Sequence, residues 1–415
     1  MRYRNLAAYY HRTAKMVTVI SLSLAVIAGL LSIPVVVLLI EVVAALRTIN
    51  EKPVNSVNPR PLKRIAVIVP AHNESSGILP TIEDIKSQLG PGDRLIVVAD
   101  NCSDDTATVA AAAGAQVISR NDTTQIGKGY ALGWAINHVS SDPPDFVVFI
   151  DADCRIESDL IARLTAVCAD RHRPVQACFL MKQGESSPID HSFAEFAFLL
   201  RNWVRPLGLR NLNGPVQLMG TGMAFPWDAI RSAPLASGHL VEDLKLGLDL
   251  AADGKAAVFY PFVRVTSDFP VTAKGTDSQR QRWVQGHIGM ILKTVPRLLL
   301  LAIARRNADL LALTFDLLVP PLSLLGFLTV GVFVLTSLAK LFGLASVAAS
   351  IAAANLLMFT LAVLLAWLKF GRNVLPARRF LSIGPLVVKK LRLYGQMLLG
   401  RTAGQWVRTD RGRPE

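Results

Sequence analysis

The sequence predicts an α/β protein in which a soluble domain with a mostly parallel sheet is joined to membrane helices. From Lys63 onward, short apolar runs alternate with amphipathic segments, a pattern typical of successive strand and helix units. Long uncharged apolar segments lie on both sides of this region. The composition agrees, because 51% hydrophobic residues are too many for an ordinary soluble protein and 18% charged residues are too many for a purely membrane one.

The first 50 residues contain one predicted transmembrane helix. Residues 17–40 carry no charge over a length that crosses the hydrocarbon core of a bilayer. A signal peptide is the alternative, but this stretch is longer than a typical signal-peptide core and no small-residue cleavage site stands out after it. Residues 51–61 are polar and rich in proline, which predicts a linker and a domain boundary.

Residues 60–287 form the predicted α/β domain. We expect strands at residues 65–69, 95–98, 116–118 and 146–150, and helices through residues 82–85, after residue 105 and at residues 129–139. Polar clusters follow three of these strands, at residues 70–74, 100–101 and 151–153. Because the carboxyl ends of parallel strands meet at one edge of a sheet, these clusters are expected to line one ligand crevice.

The chain beyond residue 287 is predicted to return to the membrane. Residues 288–306 form an expected interfacial helix, because Lys293 and Pro296 interrupt an otherwise apolar stretch. Within residues 307–370, the segments 310–338 and 341–368 are each long enough to cross and predict a transmembrane hairpin. The basic tail, residues 371–415, contains an amphipathic segment at 386–399 that is expected to lie on the membrane surface.

The positions of basic residues predict which side of the membrane each part occupies. Arginines at positions 372, 378 and 379 and in the last 15 residues put the carboxyl terminus in the cytoplasm. A two-helix hairpin then puts the α/β domain there too. One preceding helix places residues 1–16 outside, although these residues carry four basic side chains. The orientation of the amino terminus is therefore in tension with its charge.

Cysteine usage and net charge narrow the compartment and the partners. The cysteines are Cys102, Cys154, Cys168 and Cys178, and they form no C-x-x-C pair. Their position in the predicted soluble domain indicates a reduced, cytosolic compartment and no zinc site. The net charge of +13 is concentrated beside apolar segments, which favours anionic membrane lipid over nucleic acid.

Two carboxylates, Asp151 and Asp153, directly follow the predicted buried strand 146–150. Such neighbours repel each other unless a cation joins them, which indicates a metal ion that holds a phosphorylated ligand. The alternative is that they begin a turn and cap a helix that starts near Ser158. Lys128 begins another predicted helix, where it is placed either to face a phosphate or to lie solvated on the surface.

Two further sets of residues carry side chains suited to group transfer. Glu242 and Asp243 begin an amphipathic segment, where a carboxylate acts either as a general base or as compensation for the helix dipole. Gln279, Arg282 and Trp283 share one face at helical spacing. Arginine suits a leaving diphosphate and tryptophan suits stacking on a sugar, whereas a tryptophan resting at the bilayer interface is the alternative.

The order of the motifs resembles the membrane-embedded family 2 glycosyltransferases, the group that contains cellulose, hyaluronan, chitin-oligosaccharide and poly-N-acetylglucosamine synthases. The matching motifs are, in order, Pro-Ala-His-Asn-Glu at 70–74, Val-Ala-Asp-Asn at 98–101, Gly-Lys-Gly at 127–129, Asp-Ala-Asp at 151–153, Gly-Thr-Gly at 220–222, Glu-Asp at 242–243 and Gln-x-x-Arg-Trp at 279–283. Each motif alone is weak, but the ordered set is specific. It covers roughly residues 60–290, and the membrane segments match by topology.

The resemblance implies a Rossmann-like GT-A fold, a nucleotide-diphospho-sugar donor and inversion at the anomeric carbon. It implies that Asp243 is the catalytic base, that Glu242 supports it, and that Asp153 coordinates Mg²⁺ or Mn²⁺. The implied donor-binding residues are Glu74, Asp100 (which would accept from the base edge), Lys128, Asp151, Gln279 and Arg282. The implied acceptor-binding residues are Gly220, Thr221, Gly222 and Trp283.

We therefore expect an inverting, metal-dependent transferase at a bacterial-type inner membrane. It would move a sugar, expected from a UDP-sugar, to a hydroxyl of a growing glycan in surface or exopolysaccharide synthesis. One alternative is a non-processive enzyme that adds one sugar to a polyprenyl-linked acceptor. The alternative from another class is a catalytically silent membrane scaffold or export subunit.

The expected partners are the nucleotide-sugar, a glycan or lipid-linked acceptor and membrane lipids, with no nucleic acid. A homo-oligomer or an export partner is left open. Two departures from the synthases matter. Val241 stands where they often have threonine, and the loop 219–223 matches neither the chitin type nor the hyaluronan type, so the donor sugar stays open. Three predicted spans are few for a polymer channel, which leaves secretion by a single chain open.

Overall fold

The computed structural model describes residues 2–48, 63–183, 191–270 and 272–398. The strands are β1 Ile65–Ala71, β2 Arg94–Asp100, β3 Gln116–Arg120, β4 Phe146–Phe149, β5 Arg155–Ile156, β6 Val175–Lys182, β7 Met223–Pro226 and β8 Val258–Asp268. The helices between the first and last of these strands are α2 Leu79–Lys86, α3 Thr106–Ala112, α4 Lys128–Val139, α5 Leu160–Arg171, α6 Ser192–Leu199, α7 Arg205–Asn211, α8 Trp227–Ile230 and α9 Glu242–Ala252.

The helices of the two chain ends complete the described structure. They are α1 Arg2–Ala45, α10 Ala273–Lys293, α11 Val295–Ala304, α12 Ala308–Leu317, α13 Leu322–Leu341, α14 Ser346–Ala366 and α15 Ile383–Leu398. Two π-helical segments, Leu200–Val204 and Trp367–Gly371, and a 3-10 helix at Ala377–Ser382 interrupt or join them. The predicted linker at residues 51–61 and the end of the basic tail lie outside the described residues.

One eight-stranded sheet forms the centre of the α/β domain, in the order β3-β2-β1-β4-β7-β6-β8-β5. Strands β3, β2, β1 and β4 are parallel, with Ala66 beside Arg94 and Ile65 beside Phe146. Strand β7 runs antiparallel between β4 and β6, and β6 pairs in parallel with β8. The prediction of a mostly parallel sheet, in which β4 is buried along its whole length, is therefore confirmed.

The two faces of the sheet carry separate apolar cores, because successive side chains of a strand point to opposite faces. Val67 and Val148 belong to the core shared with α2 and α5, whereas Ile68 and Phe149 belong to the other. That second core also contains Val35 and residues of α4 and α7. The amino-terminal helix α1 therefore packs into the core of the α/β domain.

Among the described residues, three helices are long and apolar enough to cross a membrane: Lys15–Ala45, Leu322–Leu341 and Ser346–Gly371. The first hairpin arm differs from the predicted segment 310–338. Pro320 and Pro321 end one helix and begin another, because proline removes a backbone donor and clashes with the preceding turn. The helix that begins the carboxyl-terminal region is also broken, since Gln281–Lys293 and Val295–Ala304 meet at an angle of 49°.

Buried charges join α1 to the α/β domain. The Arg205 guanidinium donates to Glu41 at 2.6 Å and to Asp316 at 2.5 Å, and all three side chains are less than 10% exposed. Gly208 lies against the backbone of α1, where an added Cβ would come within 1.9 Å of the Glu41 carbonyl oxygen. Helix α7 therefore touches α1 directly, and the charges fix its position along that helix.

Candidate active site

A cleft of about 260 Å³ lies at the carboxyl ends of β1, β2 and β4. Its other wall consists of the first π-helix, the start of α9 and one face of α10. As the positions of the polar clusters predict, this one edge collects residues from all three strand ends. The predicted site residues that line the cleft are Glu74, Asp100, Lys128, Asp151, Asp153, Gly220, Glu242, Asp243, Gln279, Arg282 and Trp283.

Asp100 lies at one corner of the cleft, where Arg120 holds its carboxylate. The guanidinium donates to Asp100 Oδ1 at 2.7 Å, and both side chains are less than 10% exposed. Burial raises the pKa of Asp100, while Arg120 opposes that rise. His72 Nδ1 lies 2.7 Å from the Asp100 carbonyl oxygen, so the ends of β1 and β2 are tied together.

The two carboxylates after β4 have different neighbours. Asp153 Oδ2 accepts a hydrogen bond from the Ser267 hydroxyl at 2.7 Å. Asp151 forms an ion pair with Lys128, and its backbone N–H donates to the Thr221 hydroxyl at 3.0 Å. The helix after them, α5, begins at Leu160 with Asp159 as its N-cap residue, so neither carboxylate caps it.

Oxygen ligands suited to a hard divalent cation are present at this point. The ligand atoms of Asp151, Asp153 and Cys154 all lie within 4.8 Å of one another. Burial raises the pKa of the Cys154 thiol, which therefore stays protonated and is a poor ligand. The two carboxylates remain, and carboxylate oxygens are the donors that Mg²⁺ and Mn²⁺ prefer. The residues thus fit the predicted metal.

The charge balance of the cleft also favours a bound cation. Its lining has six carboxylates against three cationic side chains, Lys128, Arg201 and Arg282. The excess of carboxylates would repel a diphosphate brought into the cleft, because like charges disfavour each other. A divalent cation reverses the sign of the interaction at the carboxylates.

Lys128 connects the strand ends to the opposite wall. Its ammonium pairs with Asp151 and donates to the Gly220 carbonyl oxygen at 2.6 Å. Although desolvation lowers the pKa of Lys128, the carboxylates of Asp151 and Glu242 raise it above its ordinary value. Lys128 is therefore a charged link inside the cleft and not a solvated surface side chain.

Glu242 and Asp243 occupy the first turn of α9, where both side chains are half-buried. Burial and the neighbouring Asp243 raise the pKa of Glu242 to about 7. Burial also raises the pKa of Asp243, against the opposing charges of Lys128 and Arg201. A carboxylate pair with raised pKa can take up a proton near neutrality, which is the property that a general base needs.

Gly220 allows Asp243 to approach the loop after α7. Its φ of +90° is in the left-handed region, and an added Cβ would lie 3.4 Å from Asp243 Oδ2 and 3.5 Å from Lys128 Nζ. A side chain at this position would crowd both charged groups and strain the backbone. The glycine therefore keeps open the space in front of Asp243.

Helix α10 contributes the third group of predicted residues. Gln279 is 5% exposed, and Arg282 and Trp283 both line the cleft. The indole of Trp283 lies 5.8 Å from the ring of Phe198, in a tilted arrangement. Phe198 in turn packs edge-on against Phe179, so Trp283 belongs to an aromatic patch of the cleft wall.

Thr221 and Gly222, which the resemblance implies as acceptor-binding residues, are not among the residues that line the cleft. Thr221 is fully buried, its hydroxyl accepts from Asp151 and its carbonyl oxygen accepts from Gln176. At Gly222, where φ is +66°, an added Cβ would lie 2.6 Å from the side chain of Val265. These two residues support the floor beneath the carboxylates, and neither lines the cleft.

Three functional residues escape sequence reasoning: Arg120, Arg201 and Ser267. Arg120 ends an exposed edge strand and Ser267 lies near the end of β8, far along the chain from their carboxylate partners. Arg201 interrupts a run of apolar and aromatic residues that otherwise resembles an ordinary buried helix. In no case does the local sequence pattern signal a ligand.

Residues 61–286 match the family described as "Glycosyltransferase like family 2". The glucosyl-3-phosphoglycerate synthase of Mycolicibacterium smegmatis is 31% identical over 198 residues, which cover 43% of this chain and 62% of that protein. The Mycobacterium tuberculosis synthase is 38% identical over 97 residues, or 22% of this chain and 29% of that protein. The chain thus spans less than two thirds of either relative.

A solved structure with a similar fold is a mannosyltransferase from Pyrobaculum calidifontis in complex with GDP-Man and Mn²⁺. It is 17% identical, with a TM-score of 0.53, and the match covers 93% of this chain and all of that one. At this identity the likeness concerns the fold. The likeness and the strand order described above confirm the predicted GT-A architecture.

Proposed function

Because the chain belongs to the family 2-like glycosyltransferases, we propose that it transfers a sugar from a nucleotide-diphospho-sugar to a hydroxyl group of an acceptor, with inversion at the anomeric carbon. The observation that carries the proposal is the cleft at the carboxyl ends of β1, β2 and β4. It brings together the Asp151 and Asp153 carboxylates, the Arg282 guanidinium and the adjacent carboxylates of Glu242 and Asp243, which come from separate elements.

The donor occupies the strand-end side of the cleft in this proposal. Asp153, with Asp151 beside it, would hold Mg²⁺ or Mn²⁺, and Ser267 keeps the Asp153 carboxylate in place. When bound, the cation neutralises charge on the diphosphate. The Arg120 guanidinium donates to Asp100 Oδ1, and within the described residues Oδ2 accepts no hydrogen bond, so it is suited to accept one from the base of a UDP-sugar.

The acceptor hydroxyl lies in front of Asp243, in the space that Gly220 leaves open. Asp243 takes the hydroxyl proton as the oxygen forms a bond to the anomeric carbon. The bond between that carbon and the diphosphate oxygen breaks, and the nucleoside diphosphate leaves. Arg282 stabilises the charge that develops on the leaving group, because a guanidinium binds phosphate oxygens in a fixed planar geometry.

We propose a growing surface or exopolysaccharide glycan as the acceptor, at an inner membrane, with the cleft on the cytoplasmic side. The three helices that are apolar enough to span support the membrane location. Their small number among the described residues also favours a second candidate, the addition of one sugar to a polyprenyl-linked acceptor. A silent scaffold is the weaker alternative, since it has no use for Asp153, Asp243 and Arg282 in one cleft.

The test is donor turnover by the full-length protein in detergent. Purified protein is incubated with UDP-glucose, UDP-N-acetylglucosamine, UDP-galactose or GDP-mannose and Mn²⁺ or Mg²⁺. Nucleotide release and product size are recorded. We expect metal-dependent release with one UDP-sugar, a ladder of products if the chain elongates a glycan, and a single product if it adds one sugar. The absence of release with every donor would refute transferase activity and leave the scaffold.

A further inference from the structure

The cleft contains an arginine that neither the predicted donor site nor the predicted base accounts for. Arg201 lies in the π-helix Leu200–Val204, and its side chain is partly buried in the cleft wall. Short π-helical segments inside longer helices frequently occur at functional sites, because they turn a side chain away from the regular helical face. Within the described parts of the chain, its guanidinium forms neither a hydrogen bond nor an ion pair.

An arginine in this state is unusual beside so many carboxylates. Lys128, in the same cleft, pairs with Asp151. Burial lowers the pKa of Arg201, and the charge of Asp243 opposes that effect. A desolvated guanidinium with five donors in a rigid fork is prepared for an anion, since little further desolvation or ordering is needed when it binds one.

Arg201 and Asp243 line the same cleft, the first from the π-helix and the second from the start of α9. The carboxylate that interacts most strongly with it is Asp243, whereas Arg282 interacts with Glu242 and Asp151. The proposed function uses Arg282 for the leaving diphosphate and gives Arg201 no role, although Arg201 lines the cleft together with the proposed base Asp243.

The cavity behind Arg201 is too small to hold an anion. There the arginine also lines a second cavity of about 30 Å³, together with Gln217 and His287. The Gln217 Oε1 atom is buried without a hydrogen-bond partner in this cavity. A cavity of this size is sufficient for about one water molecule and too small for a phosphate. An anion must therefore reach Arg201 from the main cleft.

We propose that Arg201 binds a phosphate or carboxylate group of the acceptor, next to the hydroxyl that receives the sugar. This inference rests on the proposed transferase activity and names the acceptor class as anionic. The aromatic patch of Phe198 and Trp283 covers the remaining apolar part of the acceptor. Arg201 is thus a specificity-determining residue, and its removal affects charged acceptors more than neutral ones.

The test uses pairs of acceptors that differ in charge. Glycerol 3-phosphate is compared with glycerol, glucuronic acid with glucose, and phosphatidylglycerol in nanodiscs with diacylglycerol in nanodiscs. Transfer to each compound, and its inhibition of donor hydrolysis by water, are measured with full-length protein. The three pairs distinguish a free phosphate, a carboxylate on a sugar and a lipid headgroup as the source of the anion.

We expect the charged member of at least one pair to react with a kcat/KM about tenfold or more above its neutral partner, as a charge-assisted contact predicts. Arg201→Gln should bring this ratio to within about twofold through a higher acceptor KM, and Arg201→Lys should restore part of it. Arg171→Gln, on an exposed side chain at the end of α5, is the matched control and should behave as wild type.

Three results would overturn the inference: equal use of both members of every pair, an equal loss for both members in Arg201→Gln, or no transfer and no inhibition with any compound. Thermal melting of each variant excludes unfolding as the cause of a loss. If wild-type protein turns over no donor at all, the transferase proposal fails together with this one. If donor turnover is normal and charge preference is absent, only the role of Arg201 fails.

Discussion

The two walls of the cleft are built in different ways. The strand wall, defined by Glu74, Asp100, Asp151 and Asp153, consists of side chains that directly follow buried strands of one parallel sheet. The helical wall, defined by Arg201, Glu242, Asp243, Gln279, Arg282 and Trp283, comes from the first π-helix, α9 and α10. The first wall is fixed by the hydrogen bonds of the sheet, and the second by the packing of separate helices.

The two walls carry different parts of the proposed chemistry. The strand wall carries only carboxylates and therefore needs a cation before it can hold a diphosphate. The helical wall carries two guanidiniums and the carboxylates of Glu242 and Asp243, which are the groups suited to orient anions and to move a proton. Substitutions in the two walls should therefore fail in different ways.

The largest effect is expected for Asp243→Asn in the helical wall. Loss of the base should lower kcat about 10³-fold while the KM for the donor changes by less than about twofold, because general-base catalysis contributes rate and not donor binding. Nucleotide release under steady-state conditions and donor binding by calorimetry measure both. Asp228→Asn, at a side chain that is 85% exposed, is the matched control. Retained turnover in Asp243→Asn would show that Asp243 is not the base.

In the strand wall, Asp153→Asn should act through the metal. We expect the Mn²⁺ concentration for half-maximal activity to rise more than about 100-fold. Loss of a residue that only hydrogen-bonds to a metal ligand lowers metal affinity by up to about 100-fold, and loss of the ligand itself should cost more. A chelator should stop wild-type turnover, and Asp170→Asn on an exposed side chain serves as the control. Wild-type protein that stays fully active in excess chelator would contradict the metal role.

A smaller effect, in pH dependence, is expected for Glu242→Gln. Wild-type kcat/KM should rise with pH through about 7, where the pair loses its shared proton; the charges of Lys128 and Arg201 favour that loss, and the charge of Asp151 opposes it. Without Glu242, Asp243 loses a neighbouring negative charge, so its pKa falls and the acid limb moves to lower pH. Rate profiles from pH 5 to about 9 measure the shift. An unmoved limb would show that the two carboxylates titrate independently.

Glu242→Gln should also change how the free energy of unfolding depends on pH. The pKa of Glu242 is raised from its ordinary 4.5 to about 7 in the folded protein, so folding favours the protonated form. The free energy of unfolding of wild type should therefore fall as pH rises from 4.5 to about 7. Glu242→Gln should remove this part of the slope, and Glu83→Gln on an exposed side chain should not.

The smallest effect is expected for Ser267→Ala. This change removes the hydrogen bond to Asp153 and leaves both carboxylates present. We expect about a tenfold loss of Mn²⁺ affinity with little change in kcat at saturating metal, as is typical of partners that orient a ligand. A metal titration of activity checks it. A loss of kcat that excess Mn²⁺ does not restore would show that Ser267 acts on the substrate itself.

The strand wall is the part that the sequence predicts well. Buried runs of β-branched and aromatic residues that end in polar clusters reveal both a strand and its carboxyl end. Asp100 and Asp153 therefore fall where the pattern predicts, as do the strands before them. The parallel arrangement brings those ends together without any further information.

The helical wall and its supports depend on contacts between distant segments. Glu242 and Arg282 are identified by resemblance, but nothing local indicates that Arg201 turns into the cleft. Thr221 has the composition of a ligand loop, and only its burial against β6 reveals a structural role. Adjacent prolines end a helix, so Pro320 and Pro321 predict the break, although the expected segment 310–338 runs through them.

The buried cluster of Glu41, Arg205 and Asp316 bears on the modularity of the protein. Many single-span anchors can be exchanged for any helix of similar length, because they contribute only attachment. Here the amino-terminal helix supplies one partner of a buried arginine four residues after Arg201, and its backbone touches Gly208. Substituting a generic apolar helix would leave Arg205 with one carboxylate and a steric mismatch beside the cleft. The amino-terminal helix is therefore an integral part of the enzyme fold and cannot be interchanged as a separate unit.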